Sequence, residues 1–401
     1  MSTDIIQTNK NWLVWARKSV NYDEETVAQK MNINKEKIRD WERTGKITYS
    51  QLIKLSEICQ VAPHMFFSKA DPVYEKPIVD FRTLENKKIE ISPDINFELR
   101  NAKNKRETLL DIEDESEDFH IKEFKLKDYS CTSSDDVVNI LNNVLEMSNA
   151  KRNQRKLNYW ISKMEDLGIL VFQFYGIPPK DLRGYVLYYD KLPIIGINHR
   201  ETENGRKFTL FHELAHLLLK KEGLSNFESY NLNNDIEVQC NYIAGEVLVP
   251  NKDIDYRVKN GEIKDFTNSN LIKKLANYYK VSGEVIVRKF LMGNYINSKD
   301  YENYKNDLNK YLFPTSKKNS KKSIKKQKED ITVEEKEKRK KETNRKIAQK
   351  TITENGDYYI SSLIYAYYND ILTLLDIARN LDVSIDIVKS IIQIMDEKWR
   401  D

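Results

Sequence analysis

Two histidines and a glutamate stand in the segment Phe208 to Leu219 at a spacing that suits a metal ion. His212 and His216 are four residues apart, and Glu213 directly follows the first histidine. On an α-helix, residues four apart share a face, about 40° apart around the axis and about 6 Å apart along it. Two imidazoles placed in this way can share one Zn²⁺, and Glu213 can then accept a proton from an attacking water. The spacing therefore predicts metal-dependent hydrolysis with Glu213 as the general base.

The alternative is a core helix whose histidines are satisfied by other side chains. Leucines, Phe211 and Ala215 surround the motif, so the helix itself is expected to be buried. Only five histidines occur in 401 residues, so two at this spacing form an unusual concentration. Burying two imidazoles and a carboxylate is costly without partners, and a divalent ion supplies them. We therefore expect one zinc ion per chain.

A catalytic zinc site commonly has a third protein ligand, and the next predicted helix, residues 235–249, offers candidates. Glu237 borders the buried stripe of this helix, whereas Glu246 lies nine residues on, about 180° away around the axis. Both glutamates cannot face one metal, and we favour Glu237. Cys240 is expected in the core rather than in the ligand set. Asn241, one turn after Glu237, could hydrogen-bond a zinc-binding histidine and orient it.

Hydrolysis of a peptide bond also calls for a donor to the developing oxyanion, which the sequence does not identify. His199, just after a β-rich run, is a candidate, but a surface histidine is the expectation we favour for it.

The bulk composition indicates a soluble globular protein. Charged residues make up 32% and hydrophobic residues 40% of the chain, and the formal net charge is only +4. The three cysteines are odd in number and widely spaced, which favours reduced thiols in the cytoplasm over a disulfide framework. With no apolar run of 18 residues and no signal-peptide core near the start, no membrane span or secretion is expected.

Residues 1–68 are predicted to form four or five short helices, two of them joined at Asn32-Ile33-Asn34 as in a helix-turn-helix. The third helix would present Lys35 and Lys37 to a DNA groove, and the full set of predicted DNA contacts is Asn34, Lys35, Lys37, Arg39 and Arg43. These 68 residues hold ten basic and eight acidic side chains. Because these charges nearly cancel, the electrostatic attraction of this segment to DNA is expected to be weak. The alternative to DNA binding, which stays open, is that residues 1–68 recognise or mimic a helix-turn-helix protein.

The rest of the chain is predicted to be mostly helical, with one small sheet. Helical stretches and β-rich runs alternate without an evident internal repeat. The helical stretches are 94–116, 134–165, 235–249 and 265–313, and the β-rich runs are 169–174, 184–189 and 193–198. Residues 316–354 are dominated by Lys, Glu, Ser, Thr and Asn, which predicts a flexible linker or an exposed charged helix rather than core. A tract that contacts nucleic acid is the second interpretation of this segment.

Several separate stretches resemble the ImmA/IrrE family of metallopeptidases, in the large form with an N-terminal XRE-type helix-turn-helix. The segments that carry the resemblance are 37–42, 51–56, 80–83, 165–172, 208–219, 237–250 and 356–359. The stretch 237–250, Glu-Val-Gln-Cys-Asn-Tyr-Ile-Ala-Gly-Glu-Val-Leu-Val-Pro, is similar to a family pattern that assigns the third zinc ligand to Glu237. The lysine-rich insertion 316–354 and the residues after Glu42 depart from the family.

The resemblance implies an α+β protein in four segments. These are an XRE-type helix-turn-helix at 1–68, a zincin-like peptidase domain with a small sheet at 78–313, a lysine-rich linker at 316–355 and a C-terminal helical segment at 356–401. It implies a zinc endopeptidase that cleaves a helix-turn-helix repressor in a mobile-element, stress or phage-defence setting. Operator DNA and a toxin encoded nearby are further partners that it suggests. The competing hypothesis is a DNA-binding regulator or antitoxin whose zinc site is structural or latent.

Overall fold

The computed structural model describes residues 4–72, 80–81, 92–129, 131, 133–147, 156–223, 233–312 and 333–400. Its α-carbon contacts divide the chain into two compact units. One unit comprises Met1–Glu107 with Gly176–Leu182, and the other comprises Thr108–Tyr175 with Arg183–Asp401. The division falls inside a long helix, after Glu107, whereas the sequence predicted the first boundary between residues 68 and 78. The four predicted segments themselves stay predictions.

The first unit is built from short helices with well-formed caps. Asn9, Asp23, Asn34 and Thr48 each accept a hydrogen bond from the first turn of the helix that follows, which fixes where the helices start. The elements are β1 (Ile5–Gln7), α1 (Lys10–Ser19), α2 (Glu24–Met31), α3 (Lys35–Thr44), β2 (Lys46–Thr48), α4 (Tyr49–Cys59), a 3₁₀ helix (Pro63–Phe67), β3 (Asp80–Phe81) and the start of α5 (Pro93–Glu115).

Three paired strands of one sheet form the centre of the second unit. They are β4 (Leu170–Phe174), β5 (Gly184–Leu187) and β6 (Ile194–Asn198). β6 pairs in parallel with β4 and antiparallel with β5. Every residue of these strands is buried, which explains why they appear in the sequence as continuous apolar runs rather than as alternating patterns.

The helices of the second unit surround this sheet. They are α6 (Ser134–Val144), α7 (Leu157–Asp166), α8 (Glu203–Gly223), α9 (Asn233–Leu248), α10 (Asn251–Lys259), α11 (Ser269–Tyr279), α12 (Gly283–Met292), α13 (Ser298–Leu312), α14 (Val333–Asn355), α15 (Asp357–Tyr368), α16 (Leu374–Leu381) and α17 (Ile385–Arg400). The fold is thus mainly helical with small sheets, as the sequence predicted. No helix among the described residues combines the length and apolar character needed to span a bilayer.

The helical stretch predicted over 134–165 is interrupted, because Glu146 adopts a left-handed backbone conformation (φ 51°) that ends α6, and a new helix begins at Leu157. For the segment 316–354, a flexible linker and an exposed charged helix were the two alternatives, and residues 333–355 form a charged helix, α14. Ala348, Thr351 and Asn355 give this charged helix a narrow buried stripe that packs on β4 and α17. Residues 316–332 lie outside the described residues.

One turn geometry recurs in the described residues, and at three of these places it joins two α-helices directly and ends on an alanine carbonyl. The residue after the first helix is left-handed, and the N–H of the next residue donates to an alanine carbonyl one turn back. The three turns are Asn32-Ile33 to Ala28 between α2 and α3, Lys280-Val281 to Ala276 between α11 and α12, and Asp382-Val383 to Ala378 between α16 and α17. α2 and α3 are thus two short helices joined at Asn32-Ile33-Asn34, and their assignment as a helix-turn-helix stays a prediction.

Candidate metal centre

The metal-binding motif lies on α8, which the sheet and α9 hold in the core. Leu210, Phe211 and Leu214 are completely buried and bind the helix into the main hydrophobic cluster. The two histidines are just as inaccessible, with His212 0% and His216 1% exposed. The local sequence therefore places two imidazoles inside the protein, where only specific partners can offset their desolvation.

Glu237 on α9 completes a compact group with these histidines. The Nε2 atoms of His212 and His216 are 3.1 Å apart. Glu237 places Oε2 3.3 Å from His212 Nε2 and Oε1 3.2 Å from His216 Nε2. Among the described residues, these three side chains form a group able to hold a metal ion, with all candidate ligand atoms within 4.8 Å of one another.

The spacing of the three groups fits zinc. Two ligand atoms held tetrahedrally at about 2.05 Å from an ion lie roughly 3.3 Å apart. The observed separations of 3.1 to 3.3 Å match this value. Three lone-pair donors thus converge on one point inside the protein, and a divalent cation satisfies all three at once.

The charge on Glu237 suits the same role. Burial raises the pKa of Glu237, but hydrogen bonds from His212 and His216 outweigh burial and hold that pKa below its ordinary value. The carboxyl group is therefore ionised at neutral pH, as a ligand to a divalent cation must be.

Glu246, the competing glutamate, has a different role in the structure. Its Oε2 lies 2.5 Å from Nζ of the buried Lys289, and its Oε1 accepts a hydrogen bond from the backbone N–H of Asn251. The angular argument that separated Glu237 from Glu246 thus agrees with the geometry. Cys240 is completely buried, and burial raises the pKa of its thiol, which fits its predicted place in the core.

Glu213 is 1% exposed and sits beside β5. A methyl group added at Gly184 would lie 2.8 Å from Glu213 Oε1 and 2.5 Å from the methyl carbon of Thr209. Only a residue without a side chain allows the strand to approach this carboxylate so closely. Gly184 was not predicted as a site residue; a glycine at the start of a β-rich run was the available signal.

A partly buried ionic network lies next to this contact. Thr209 Oγ1 donates to Glu201 Oε2 at 2.9 Å, and Arg183 Nε lies 3.2 Å from Glu201 Oε1. Arg183 precedes Gly184, and Thr209 is one turn before Glu213 on α8. The network therefore ties the start of β5 to the helix that carries the metal ligands.

His199 lies in a polar cluster rather than standing alone at the surface. Arg206 Nη1 is 2.8 Å from His199 Nδ1 and 2.6 Å from Gln173 Oε1, and the imidazole stacks on Tyr175. Burial, then the charges of Arg206 and Lys350, lower the pKa of His199, so its ring is neutral at neutral pH. A role as oxyanion donor stays a prediction. Asn241, partly buried one turn after Glu237, likewise keeps its predicted orienting role as a prediction.

Two of the predicted DNA-contacting cations pair with acidic residues at the start of α2. Arg39 Nε is 2.7 Å from Glu24 Oε2. Lys35 Nζ lies 4.0 Å from Glu24 Oε2 and 3.9 Å from Glu25 Oε2. These pairs are solvent-exposed, so each is weak, and phosphate groups could replace the carboxylates.

Two of the other predicted DNA contacts, Arg43 and Asn34, also interact with neighbouring groups of the protein. Arg43 Nη2 lies 2.6 Å from Asp40 Oδ1. Asn34 caps α3, with its side-chain oxygen accepting a backbone N–H at 3.1 Å. Lys37 is exposed. The surface of α3 therefore carries less uncompensated positive charge than its sequence indicated.

The fold and the ligand set thus define a hydrolase-type metal site of two histidines and one glutamate on two packed helices. Comparison with known proteins agrees with this class. Residues 164–291 are similar to the family Peptidase_M78, described as the IrrE N-terminal-like domain. This segment runs from the end of α7 to α12 and contains all three candidate ligands and Glu213. The match supports a metallopeptidase and the resemblance to the ImmA/IrrE family, while a search of curated proteins finds no match to the chain.

Proposed function

We propose that this protein is a zinc-dependent endopeptidase that cleaves a helix-turn-helix transcription repressor. The observation that carries the proposal is the convergence of His212, His216 and Glu237 within zinc-binding distances, with Glu213 adjacent to the first histidine. Two packed helices supply this set, so the ligands are held by the core of the domain rather than by a loop.

Each side chain has a distinct task in the proposed reaction. His212, His216 and Glu237 would hold the ion. A zinc ion there would act as a Lewis acid and lower the pKa of water towards neutrality. Glu213 accepts the proton of the attacking water and afterwards donates it to the amine that leaves. Gly184 and the network around Glu201 position that carboxylate.

The nature of the substrate is inferred from the resemblance to the ImmA/IrrE family. Members of this family are known or proposed to cleave helix-turn-helix repressors, which releases genes on mobile elements or in stress and defence responses. The N-terminal unit of this chain contains α2 and α3, two short helices joined by a tight turn, as a helix-turn-helix requires. We propose that this unit helps to recognise the substrate or its operator.

Replacement of Glu213 by Gln tests the proposed chemistry. The purified variant should retain zinc, because Glu213 is not among the three ligands, yet it should no longer cleave a helix-turn-helix repressor encoded beside it. The repressor should be cut by the unaltered protein in the presence of zinc and left intact after chelation. Cleavage by the Glu213→Gln variant at the original rate would refute the mechanism.

A second candidate is a DNA-binding regulator or an antitoxin whose zinc site is structural or latent. The two short helices α2 and α3, which the sequence predicts to be a helix-turn-helix, favour it, while the acidic partners of Arg39 and Lys35 weigh against strong DNA binding. In that case, His212→Ala and Glu213→Gln would leave the biological output intact, and substitutions within residues 35–43 would abolish it. Co-purification with an adjacent toxin would support the antitoxin form.

A further inference from the structure

A cluster of polar side chains lies in the larger unit where the parallel strands β4 and β6 end. Tyr175 directly follows β4, His199 directly follows β6, and Gln173 is the second-last residue of β4. Arg206, in the first turn of α8, places Nη1 2.6 Å from Gln173 Oε1 and 2.8 Å from His199 Nδ1. Ligands commonly bind beside the carboxyl ends of parallel strands. The cluster therefore lies where a ligand site is expected.

Arg206 has no carboxylate partner among the described residues. Its two acceptors are the uncharged side chains of Gln173 and His199, and both are bound through the same atom, Nη1. Glu201 and Glu203 favour its charged form from a distance, but neither forms an ion pair with it. Burial is the stronger influence and lowers the pKa of Arg206, as expected for a half-buried cation without a counter-ion. An anion beside Arg206 would supply the missing charge.

The other charges of the cluster cancel, so Arg206 leaves it with a net charge of +1. Lys350 on α14 places Nζ 4.5 Å from the centre of the Tyr175 ring. Glu354, one turn later, lies 3.4 Å from Lys350 Nζ and neutralises it. Burial and the two cations beside it lower the pKa of His199, so its ring is neutral. The cluster therefore suits an anion that carries one negative charge.

The contact with Arg206 determines which nitrogen of His199 donates. A guanidinium group has hydrogens but no acceptor, so Nδ1 accepts and the proton of the neutral ring is on Nε2. The other assignment, a bond from Nδ1–H to Gln173 Oε1 at 3.2 Å, would put two hydrogens between Nδ1 and Nη1, which are 2.8 Å apart. His199 Nε2–H is therefore a hydrogen-bond donor.

Three donors of the cluster remain without an acceptor among the described residues. They are Nη2 of Arg206, Nε2 of His199 and the hydroxyl of Tyr175, and none of these atoms is enclosed by the protein. The rings of His199 and Tyr175 stack with centroids 4.3 Å apart, which holds two of the donor groups side by side. A carboxylate has about four lone-pair sites and accepts from several donors at once.

We propose that Arg206, His199 and Tyr175 form a binding site for the carboxylate group of a ligand. The guanidinium group supplies the charge and a planar set of N–H groups, while the imidazole and the hydroxyl each donate one further hydrogen bond. A phosphate dianion fits less well, because its second charge would need Lys350, which Glu354 already neutralises. A small organic acid and the C-terminus of a peptide both carry the required group.

This site is separate from the metal centre and goes beyond the proposed peptidase activity. Arg206 precedes His212 by six residues, which corresponds to about 9 Å along a helix axis and about 120° around it. Thr209, which packs against Gly184, lies between Arg206 and Glu213 on α8. A carboxylate in the cluster is therefore held by residues other than those that would hold zinc or accept a proton from water.

NMR signals of histidine Cε1–H groups in the full chain, labelled with ¹³C, test the site directly. Acetate replaces chloride at constant ionic strength, acetamide is the neutral counterpart, and methyl phosphate is the dianion at about pH 8. The chain has only five histidines, and His199→Gln identifies the signal from the cluster. We expect a saturable shift of the His199 signal with acetate, at least about tenfold weaker binding of acetamide, and weaker binding of methyl phosphate. A carboxylate bound to zinc would instead shift the signals of His212 and His216.

N-Acetylalanine distinguishes the two sources of the carboxylate. Tighter binding than that of acetate indicates the C-terminus of a peptide, because the added amide then makes further contacts, and similar binding indicates a small organic acid. The proposal is overturned if neither carboxylate gives a saturable shift of the His199 signal. It is also overturned if acetamide binds as tightly as acetate, or if methyl phosphate binds more tightly.

Variants show whether the named donors bind the anion. Arg206→Gln should weaken acetate binding roughly tenfold or more, and Arg206→Lys should recover part of the loss, because it restores the charge without the planar set of donors. Tyr175→Phe should weaken binding roughly fivefold while keeping the stacking on His199. Arg200→Gln is the matched control, since it removes one positive charge at an exposed neighbour of His199 and should leave affinity unchanged. Unchanged affinity in folded Arg206→Gln overturns the proposal, and if that variant fails to fold, unchanged affinity in Tyr175→Phe does so.

Discussion

The carboxylate of Glu213 lies against the backbone of Gly184 on β5. A methyl group at residue 184 would be 2.8 Å from Glu213 Oε1, closer than a carbon and an oxygen can approach without displacement. The position of the proposed general base is therefore set by a residue 29 positions earlier in the chain, on a different element. The absence of a side chain at Gly184 is part of the catalytic geometry.

We expect Gly184→Ala to impair catalysis while leaving metal binding intact. The added methyl group would push Glu213 and Thr209 away from the strand, and a displacement of about 1 Å can lower a rate roughly a hundredfold. Peptide cleavage and zinc content of the purified variant are the measurements. Gly205→Ala on α8 is the control, because its methyl group would closely meet only the hydroxyl of the exposed Thr202, at 3.2 Å, and that side chain can move aside, so activity should be unchanged. Normal cleavage by Gly184→Ala would contradict the positioning role.

Glu237→Gln and Glu246→Gln should differ sharply in zinc affinity. Glu237 faces both imidazoles, whereas Glu246 faces Lys289. Loss of an outer-shell partner already costs about 10–100-fold in metal affinity, so loss of the carboxylate ligand should exceed roughly 100-fold. Titration with a competing chelator gives both values. Equal zinc affinity of the two variants would show that Glu237 is not the third ligand.

The Lys289–Glu246 pair should be important for stability. Lys289 has a side-chain exposure of 2%, and the pair joins α12 to the helix that carries Glu237. Glu246→Gln leaves a buried ammonium group without its counter-charge and should lower the free energy of unfolding by about 3–5 kcal/mol. The double variant Lys289→Met with Glu246→Leu removes both charges and should recover most of this loss. Chemical denaturation measures each value, and an unchanged midpoint for Glu246→Gln would contradict the prediction.

The acidic residues at the start of α2 should limit DNA binding by the first unit. Glu24→Gln with Glu25→Gln frees Arg39 and Lys35 from their carboxylate partners. If α3 contacts DNA, the double variant should bind duplex DNA roughly tenfold more tightly at low salt, with a steeper salt dependence. Fluorescence anisotropy across a salt series is the measurement. Glu57→Gln with Asp4→Asn, both exposed and away from α2 and α3, makes the same change of two charges, and an equal gain in that double variant would exclude a specific role of α3.

Glu165 should make the stability of the larger unit depend on pH. Burial raises the pKa of Glu165 to about 8, although the carboxylate accepts a hydrogen bond from the backbone of Tyr358. Between the ordinary carboxyl pKa near 4.5 and about 8, the folded protein keeps a proton that the unfolded chain has lost. The free energy of unfolding therefore falls as pH rises through this window, by at most about 1.4 kcal/mol per pH unit.

Glu165→Gln isolates this contribution, because the amide is neutral at every pH in the window. Thermal unfolding at pH 5, 6, 7 and 8 should show a shallower decline in stability for the variant than for the unaltered protein. Asp166→Asn is the matched control, since Asp166 is an exposed neighbour on the same helix that pairs with Lys122. Identical pH profiles for Glu165→Gln and the unaltered protein would contradict the raised pKa.

Much of the metal site could be predicted because it depends on spacing within single helices. The four-residue interval between His212 and His216 fixes their common face, and the nine-residue interval between Glu237 and Glu246 separates their faces, wherever the helices pack. The break after α6 was not predicted, because apolar spacing continues through Glu146, whose left-handed backbone ends the helix. The buried stripe of α14 was missed for a related reason: three small or polar side chains do not mark a core face in a lysine-rich sequence.

The sequence by itself determined which side chains can bind a metal and which helix faces present them, since helical periodicity is a local property of the backbone. Only the tertiary structure decided that Glu237 meets both imidazoles, that Gly184 makes room for Glu213, and that Glu246 neutralises Lys289. These contacts join residues far apart in the chain, and their distances arise from how the helices and the sheet pack rather than from any local pattern.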